Sequence, residues 1–157
     1  MMRGVLFLIA VVAAPVGALA EGLLDGRSFG GMIGPAENPD LEDRLYFDEG
    51  HFWSEICTRC GFEPGEYLAQ QTADGIVFSG VLESDSRGRF TYGGTVSKSG
   101  EIAVTIDWEK KRWYWTARRE IVFRGKVLPQ SVPADLEATL IRMNAIDPGA
   151  DPACARF

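Results

Sequence analysis

Hydrophobic and polar residues alternate along the middle of the chain, and turn-forming residues interrupt the alternation about every 8–12 positions, which is typical of β-sandwiches and barrels. The pattern predicts eight short strands and no helix between residues 27 and 126. The predicted strands span residues 28–33, 43–47, 52–57, 66–71, 76–82, 89–96, 101–108 and 113–124. Turn sequences such as Asp74-Gly75 favour antiparallel hairpins between consecutive strands.

In several strands the alternation also assigns one face to a common core. The residues on this face are Ile76, Phe78, Leu82, Phe90, Tyr92, Val96, Ile102, Val104, Ile106 and Trp108, followed by the odd-numbered residues from Trp113 to Phe123, which are apolar except for Arg119. Closing the strands into a barrel would remove both sheet edges, and Gly80, Gly93 and Gly94 suit the coiling that closure needs. We therefore predict an all-β, eight-stranded antiparallel up-and-down barrel, with a two-sheet sandwich as the alternative.

After Lys126 the pattern changes to that of one short helix. Ser131 is a suitable N-cap residue. Three apolar residues then recur on one helical face, namely Leu136, Leu140 and Met143. We expect this helix to pack on the outside of the barrel. The predicted organisation is a barrel domain at residues 21–130 and a C-terminal helix and tail at residues 131–157.

Residues 1–20 have the pattern of a secretory signal peptide. An apolar run follows Arg3 and ends in small residues up to Ala20, as signal peptidase requires. The run is shorter than the roughly 20 residues of a bilayer span. Glu21 follows it, so the mature N-terminus has no cysteine for lipid attachment. We expect a periplasmic or secreted protein with no membrane anchor.

The exported protein would be acidic. Removing Arg3 from the 16 basic residues leaves 15 against 22 acidic residues, a formal net charge of -7. This sign argues against nucleic acid and anionic membrane surfaces as partners, because both favour clustered Lys and Arg. The one dense basic stretch, Lys110 to Arg112, is interpreted as a solvated hairpin tip. We expect a monomer.

Several groups of residues resemble the small lipocalin-like (calycin-type) β-barrels that bacteria export. They are Leu24-Asp25-Gly26 with Phe29, then Leu45-x-Phe47-x-x-Gly50-x-Phe52-x-Ser54-x-x-Cys57, then Gly61-Phe62 with Tyr67, and finally Gly94-x-Val96, Ile102, Trp108 and Phe123-x-Gly125. The resemblance spans residues 23–126 and lies in hydrophobic and glycine positions. It therefore implies the barrel fold and no particular activity. True lipocalins carry Gly-x-Trp in the first strand, where Phe29 is the aromatic residue here.

Three cysteines allow one disulfide and leave one thiol. The resemblance places the family cysteine at Cys57, which implies a bridge between Cys60 and Cys154. Closing that loop of about 90 residues would contribute roughly 4–5 kcal/mol in the chain-entropy model. The alternative bridge, between Cys57 and Cys60, closes a small ring and would contribute much less.

The C-x-x-C sequence from Cys57 to Cys60 also suggests other chemistry. A redox pair would need a helix beginning at the first cysteine, whereas a strand is predicted here. Covalent haem attachment would need His at the position of Gly61. A zinc site could combine His51 with the three cysteines. The structural disulfide is preferred, and we expect no metal and no cofactor.

Six residues are the candidates for binding a small apolar ligand inside the barrel: Phe78, Tyr92, Val104, Trp113, Trp115 and Arg119. The aromatic ones would equally suit a filled core, because eight strands enclose space for packed side chains or one small molecule. Arg119 lies among apolar residues, where its charge needs a partner. That partner would be the Phe29 ring at the barrel floor or the carboxylate of a ligand.

The sequence contains no Gly-x-Ser-x-Gly motif, and we assign no catalytic residue. The leading hypothesis is an exported, non-enzymatic binding module for a small apolar ligand or an envelope protein partner. One alternative is a thiol–disulfide redox protein that uses Cys57 and Cys60. The other is a structural or inhibitory envelope protein with a filled core.

Overall fold

A computed structural model describes residues 22–130 and 132–156, so the predicted signal peptide lies outside the described residues. Within them, eight strands form a closed barrel in which each strand pairs antiparallel with the next, and the last strand pairs with the first. The strands are β1 (Arg27–Gly34), β2 (Leu41–Asp48), β3 (His51–Ser54), β4 (Gly65–Gln71), β5 (Gly75–Ser84), β6 (Gly88–Ser97), β7 (Glu101–Lys111) and β8 (Thr116–Val127). The predicted all-β, up-and-down barrel is confirmed, and the sandwich alternative is wrong.

A short helix, α1 (Glu55–Arg59), occupies the second half of the strand predicted at residues 52–57. Ser54 caps it, because its side chain accepts a hydrogen bond from the Cys57 N–H at 3.1 Å. The carboxylate of Asp43, on β2, accepts the Ile56 N–H at 3.1 Å. These two side chains satisfy backbone donors at the start of a helix, which ends the strand at Ser54.

The helix predicted after the barrel is present and begins later than expected. It is α2 (Leu136–Ala145), and the Asp135 side chain caps it by accepting the Ala138 N–H at 2.8 Å. The N-cap predicted at Ser131 is therefore wrong, and Ser131 itself lies outside the described residues. Thr139 is the buried residue of the helix. Of the predicted apolar face, Leu140 is exposed and Leu136 and Met143 are partly buried, so this face is covered only in part. Among the described residues, no helix has the length and apolar character to cross a membrane.

The barrel closes where β1 pairs with β8, and glycines allow the two backbones to approach. Gly31 and Gly125 are register partners across this seam. A Cβ atom on Gly31 would lie 2.2 Å from the carbonyl oxygen of Arg124, and one on Gly125 would lie 2.3 Å from that of Gly30. Both distances are far shorter than van der Waals contact, so the seam requires glycine on both strands.

Candidate functional site

Aromatic rings fill the interior of the barrel. Phe47 contacts the rings of Tyr67 and Phe78 edge to face, with centroids 5.1 and 5.2 Å apart. Phe52 contacts Tyr92 in the same geometry at 5.0 Å. None of these five side chains is more than 2% exposed. Edge-to-face pairs at this spacing are favourable contacts within a core.

Two inward-facing glycines make room for these rings. A Cβ atom on Gly80 would lie 2.3 Å from the Phe52 ring, and one on Gly94 would lie 2.6 Å from the Phe78 ring. A Cβ atom on Gly93 would meet no described atom within 4 Å. Gly80 and Gly94 therefore serve the packing of the core, whereas Gly93 is not required by any contact.

The six candidate ligand-binding residues fall into two separate groups. Phe78, Tyr92 and Val104 are buried inside the barrel, as predicted, where they are part of the packed core. The other three are exposed, so their predicted position on the interior face is wrong: Trp113, Trp115 and Arg119.

The misplaced residues lie where the β7–β8 hairpin extends beyond the barrel. β8 begins at Thr116, three residues later than predicted, and β7 continues to Lys111. The neighbouring strands pair with this hairpin only as far as Glu109 on β7 and Val122 on β8. Beyond those positions, no third strand within residues 22–130 and 132–156 pairs with the hairpin to enclose an interior. The alternation of side chains therefore continues along the hairpin, but the side chains on its inward face do not reach the core.

The side chain of Arg119 makes intramolecular contacts at this end of the barrel. Its guanidinium lies 5.9 Å from the centroid of the Trp108 ring and donates a 2.7 Å hydrogen bond to the Arg156 carbonyl. The predicted contact with Phe29 is wrong, because Phe29 pairs with Val127 at the opposite end of β8. Arg119 thus connects β8 to the C-terminal segment through the hydrogen bond, and to Trp108 on β7 through a cation–π contact.

A 3₁₀ helix (Pro152–Arg156) closes the same end of the barrel. A disulfide joins Cys154 to Cys60, the residue after α1, at a sequence separation of 94. The predicted bridge is therefore confirmed, and the alternative bridge between Cys57 and Cys60 is not formed. The side chain of Arg87 donates to the Cys154 carbonyl at 2.7 Å, which holds the segment against the β5–β6 turn.

A buried polar cluster lies beneath α1. Ser54 Oγ donates to Asp43 at 2.6 Å, and Cys57 Sγ lies 3.6 Å from Tyr92 Oη. Desolvation raises the pKa of Asp43 from 3.8 to about 6. Desolvation, together with the nearby Asp43, raises the pKa of the Cys57 thiol from 9.0 to about 12. At neutral pH Cys57 is therefore a protonated thiol and a poor nucleophile.

The residues considered for zinc do not come together. Two of the three cysteines are bonded to each other, and His51 Nδ1 lies 2.9 Å from the Glu49 carbonyl oxygen. Across residues 22–130 and 132–156, no group of three or more His, Cys, Asp or Glu side chains is arranged to hold a metal ion.

An open cavity of about 480 Å³ lies at the opposite end of the barrel, beside the start of β1. The segment after β8 forms one wall, and the starts or ends of four other strands form the rest. Its apolar lining consists of Phe29, Ile76, Val96, Val127, Leu128, Pro129 and Val132. The alternation pattern could not indicate this cavity, because the segment after β8 has no periodic pattern.

The end of the β7–β8 hairpin, residues 110–115, carries a cluster of exposed aromatic residues and is here named the aromatic tip. Trp113 is 93% exposed, Tyr114 69% and Trp115 49%. The Arg112 N–H donates to the Trp115 carbonyl at 2.7 Å, which closes the loop. The ring centroids of Trp113 and Tyr114 are 4.7 Å apart, so the side chains form one apolar surface.

The aromatic tip lies within the most basic part of the chain. Residues 108–119 contain five Lys or Arg residues and one acidic residue, Glu109. Glu109 is paired with Arg118 at 3.6 Å, and Lys110 donates to the Ser86 carbonyl. In the part of the chain that the structure describes, neither Lys111 nor Arg112 forms an ion pair. The basic stretch predicted at a hairpin tip is indeed there, and the adjoining tryptophans belong to the same loop.

Comparisons with protein-family models, with curated proteins and with solved structures found no match to this chain.

Proposed function

We propose that this protein is an exported, non-enzymatic binding module that contacts its partner through the aromatic tip. The observation that carries the proposal is the exposure of Trp113, Tyr114 and Trp115 together at the end of a projecting hairpin. Clustered apolar side chains on a surface mark interaction sites, and Trp and Tyr are enriched at such interfaces. The predicted signal peptide and the resemblance to exported lipocalin-like barrels support a periplasmic or secreted location.

The filled interior of the barrel favours a binding site on the outer surface rather than one inside the barrel. Phe47, Phe52 and Phe78 occupy the space that a ligand would need in a lipocalin-like cup. The alternative of a redox protein has less support, because Cys60 is already bonded to Cys154 and burial keeps Cys57 protonated. The sequence analysis left two non-enzymatic hypotheses, a binding module and a structural protein with a filled core. A binding surface at the aromatic tip is compatible with a filled barrel, so the proposal combines features of both.

Cell fractionation tests this proposal. The protein is produced with its predicted signal in cells that export it, and the soluble and envelope fractions are compared. We expect wild type to associate with the envelope fraction, and the variant Trp113→Ala/Trp115→Ala to be released. The control Leu68→Ala/Val77→Ala removes two half-exposed apolar side chains from β4 and β5 and should behave as wild type. A wholly soluble wild type, or equal release of both variants, would contradict the proposal.

A second candidate function is the binding of a small apolar ligand in the open cavity beside β1. Its volume of about 480 Å³ and its apolar lining favour such a ligand. Titration calorimetry with a medium-chain fatty acid should give saturable binding that Val127→Asp abolishes. The absence of any heat of binding would remove this second candidate and leave the tip proposal unaffected.

A further inference from the structure

We infer that the partner of the aromatic tip is an anionic phospholipid surface. The Trp113, Tyr114 and Trp115 rings enter the interfacial layer, and Lys111 and Arg112 contact the lipid phosphates. This inference rests on the proposed function and specifies the partner of the same site.

The aromatic side chains suit the boundary between lipid and water. Trp and Tyr concentrate at membrane interfaces because each combines a large apolar ring with one polar group. Trp113 and Tyr114 are the two most exposed large hydrophobic residues described. They lie beyond the last residues that pair with a third strand, so they can reach a flat surface before the barrel does.

The charges beside the rings complement an anionic surface. The formal net charge is +4 over residues 108–119 and -10 over the rest of the chain, which together give the -6 of the whole. Each Lys or Arg near an anionic leaflet contributes to binding, and the effect decays within a Debye length of roughly 10 Å. A bilayer therefore attracts the tip and repels the acidic barrel, which orients the molecule.

The concentration of positive charge near the tip changes the conclusion that was drawn from the negative net charge of the chain. The total charge argues against anionic membranes as partners, but all the charged residues of the tip itself are basic, namely Lys110, Lys111 and Arg112. The backbone carbonyl of Ser86 binds Lys110. Lys111 and Arg112 form no ion pair with the rest of the described chain, so both can interact with phosphates.

Vesicle binding tests the inference directly. Purified full-length exported protein is mixed with vesicles of phosphatidylcholine, with or without phosphatidylglycerol, at low and high salt. We expect binding only when phosphatidylglycerol is present, with a blue shift of tryptophan emission and loss of binding at high salt. Lys111→Gln/Arg112→Gln should weaken binding about 30-fold. Trp113→Ala/Trp115→Ala should abolish both the binding and the blue shift.

Controls separate the possible failures. Leu68→Ala/Val77→Ala should bind vesicles as wild type does, since it leaves the tip intact. Equal binding to both kinds of vesicle, or binding that the tip variants retain, would overturn the inference. If the protein binds no vesicle but its association with the envelope still depends on the tip, the partner is a protein. In that case the inference fails and the proposed function survives.

Discussion

Single aromatic side chains in this barrel differ widely in what they contribute to stability. Phe78 is buried against Phe47 in the filled interior, whereas Trp115 is half exposed at the aromatic tip. Phe78→Ala should lower the free energy of unfolding by about 3–5 kcal/mol. Trp115→Ala should change it by less than about 0.5 kcal/mol, because it leaves no cavity. Denaturation in urea measures both, and a large loss in the Trp115 variant would contradict the position of the tip.

The buried carboxyl of Asp43 should make stability depend on pH. Its pKa is about 6 in the folded protein against 3.8 as the unperturbed value, because burial disfavours the charged form. The folded state therefore binds this proton more tightly, and its stability falls as pH rises from about 4 to 6, by about 3 kcal/mol for this group.

Asp43→Asn isolates this effect. The variant can still accept the Ile56 N–H, but it has no carboxyl to titrate. The difference in unfolding free energy between wild type and variant should change between pH 4 and pH 7, in favour of wild type at the lower pH. A constant difference over this range would show that the pKa of Asp43 is not raised.

At the scale of elements, the seam between β1 and β8 depends on close backbone contact. Gly31→Ala places a methyl group against the carbonyl of Arg124. The strands must separate locally, so we expect a loss of about 1–3 kcal/mol in unfolding free energy. Gly93→Ala is the matched control, because its Cβ meets no described atom within 4 Å and should cause no loss. Equal effects of the two substitutions would indicate that strand propensity and not the seam is responsible.

The elements that could be predicted are those whose own residues carry the pattern of a strand or helix. Alternation and turn residues predicted all eight strands. Alternation also identified the buried faces of β5, β6 and β7, and the buried positions Ile121 and Phe123 of β8. Helix α1 was missed because one of its two caps, Asp43, comes from another strand. The sequence does contain the local part of the signal, since Ser54 precedes the helix and Gly61 follows it with φ 82.

The site was less predictable than the fold, for a reason that concerns neighbouring elements. Trp113 and Trp115 follow the alternation of β8, but whether an inward direction leads to a core depends on where β1 and β6 stop pairing. The sequence of β7 and β8 alone does not indicate where this pairing stops. The basic residues Lys110 to Arg112 are a local signal, and extending that loop by three residues would have placed the tryptophans at the tip.

At the scale of the whole molecule, the disulfide links two ends of a long loop. Cys60→Ser/Cys154→Ser removes it without leaving an unpaired thiol at either position. Because the loop spans 94 residues, we expect the unfolding free energy to fall by about 4–5 kcal/mol. Urea denaturation of oxidised wild type and variant gives the difference. A variant as stable as wild type would mean that packing of the 3₁₀ helix is sufficient without the bond.

The burial of Cys57 affects how the chain reaches its native disulfide. In the unfolded chain Cys57 lies three residues from Cys60, whereas Cys154 lies 94 residues from it, so the loop between Cys57 and Cys60 closes more readily. A premature bond between those two would have to be exchanged later. Once Cys57 is packed against Tyr92, its protonated thiol cannot attack or be reached. Once the barrel has formed and buried Cys57, Cys154 is therefore the one remaining disulfide partner for Cys60.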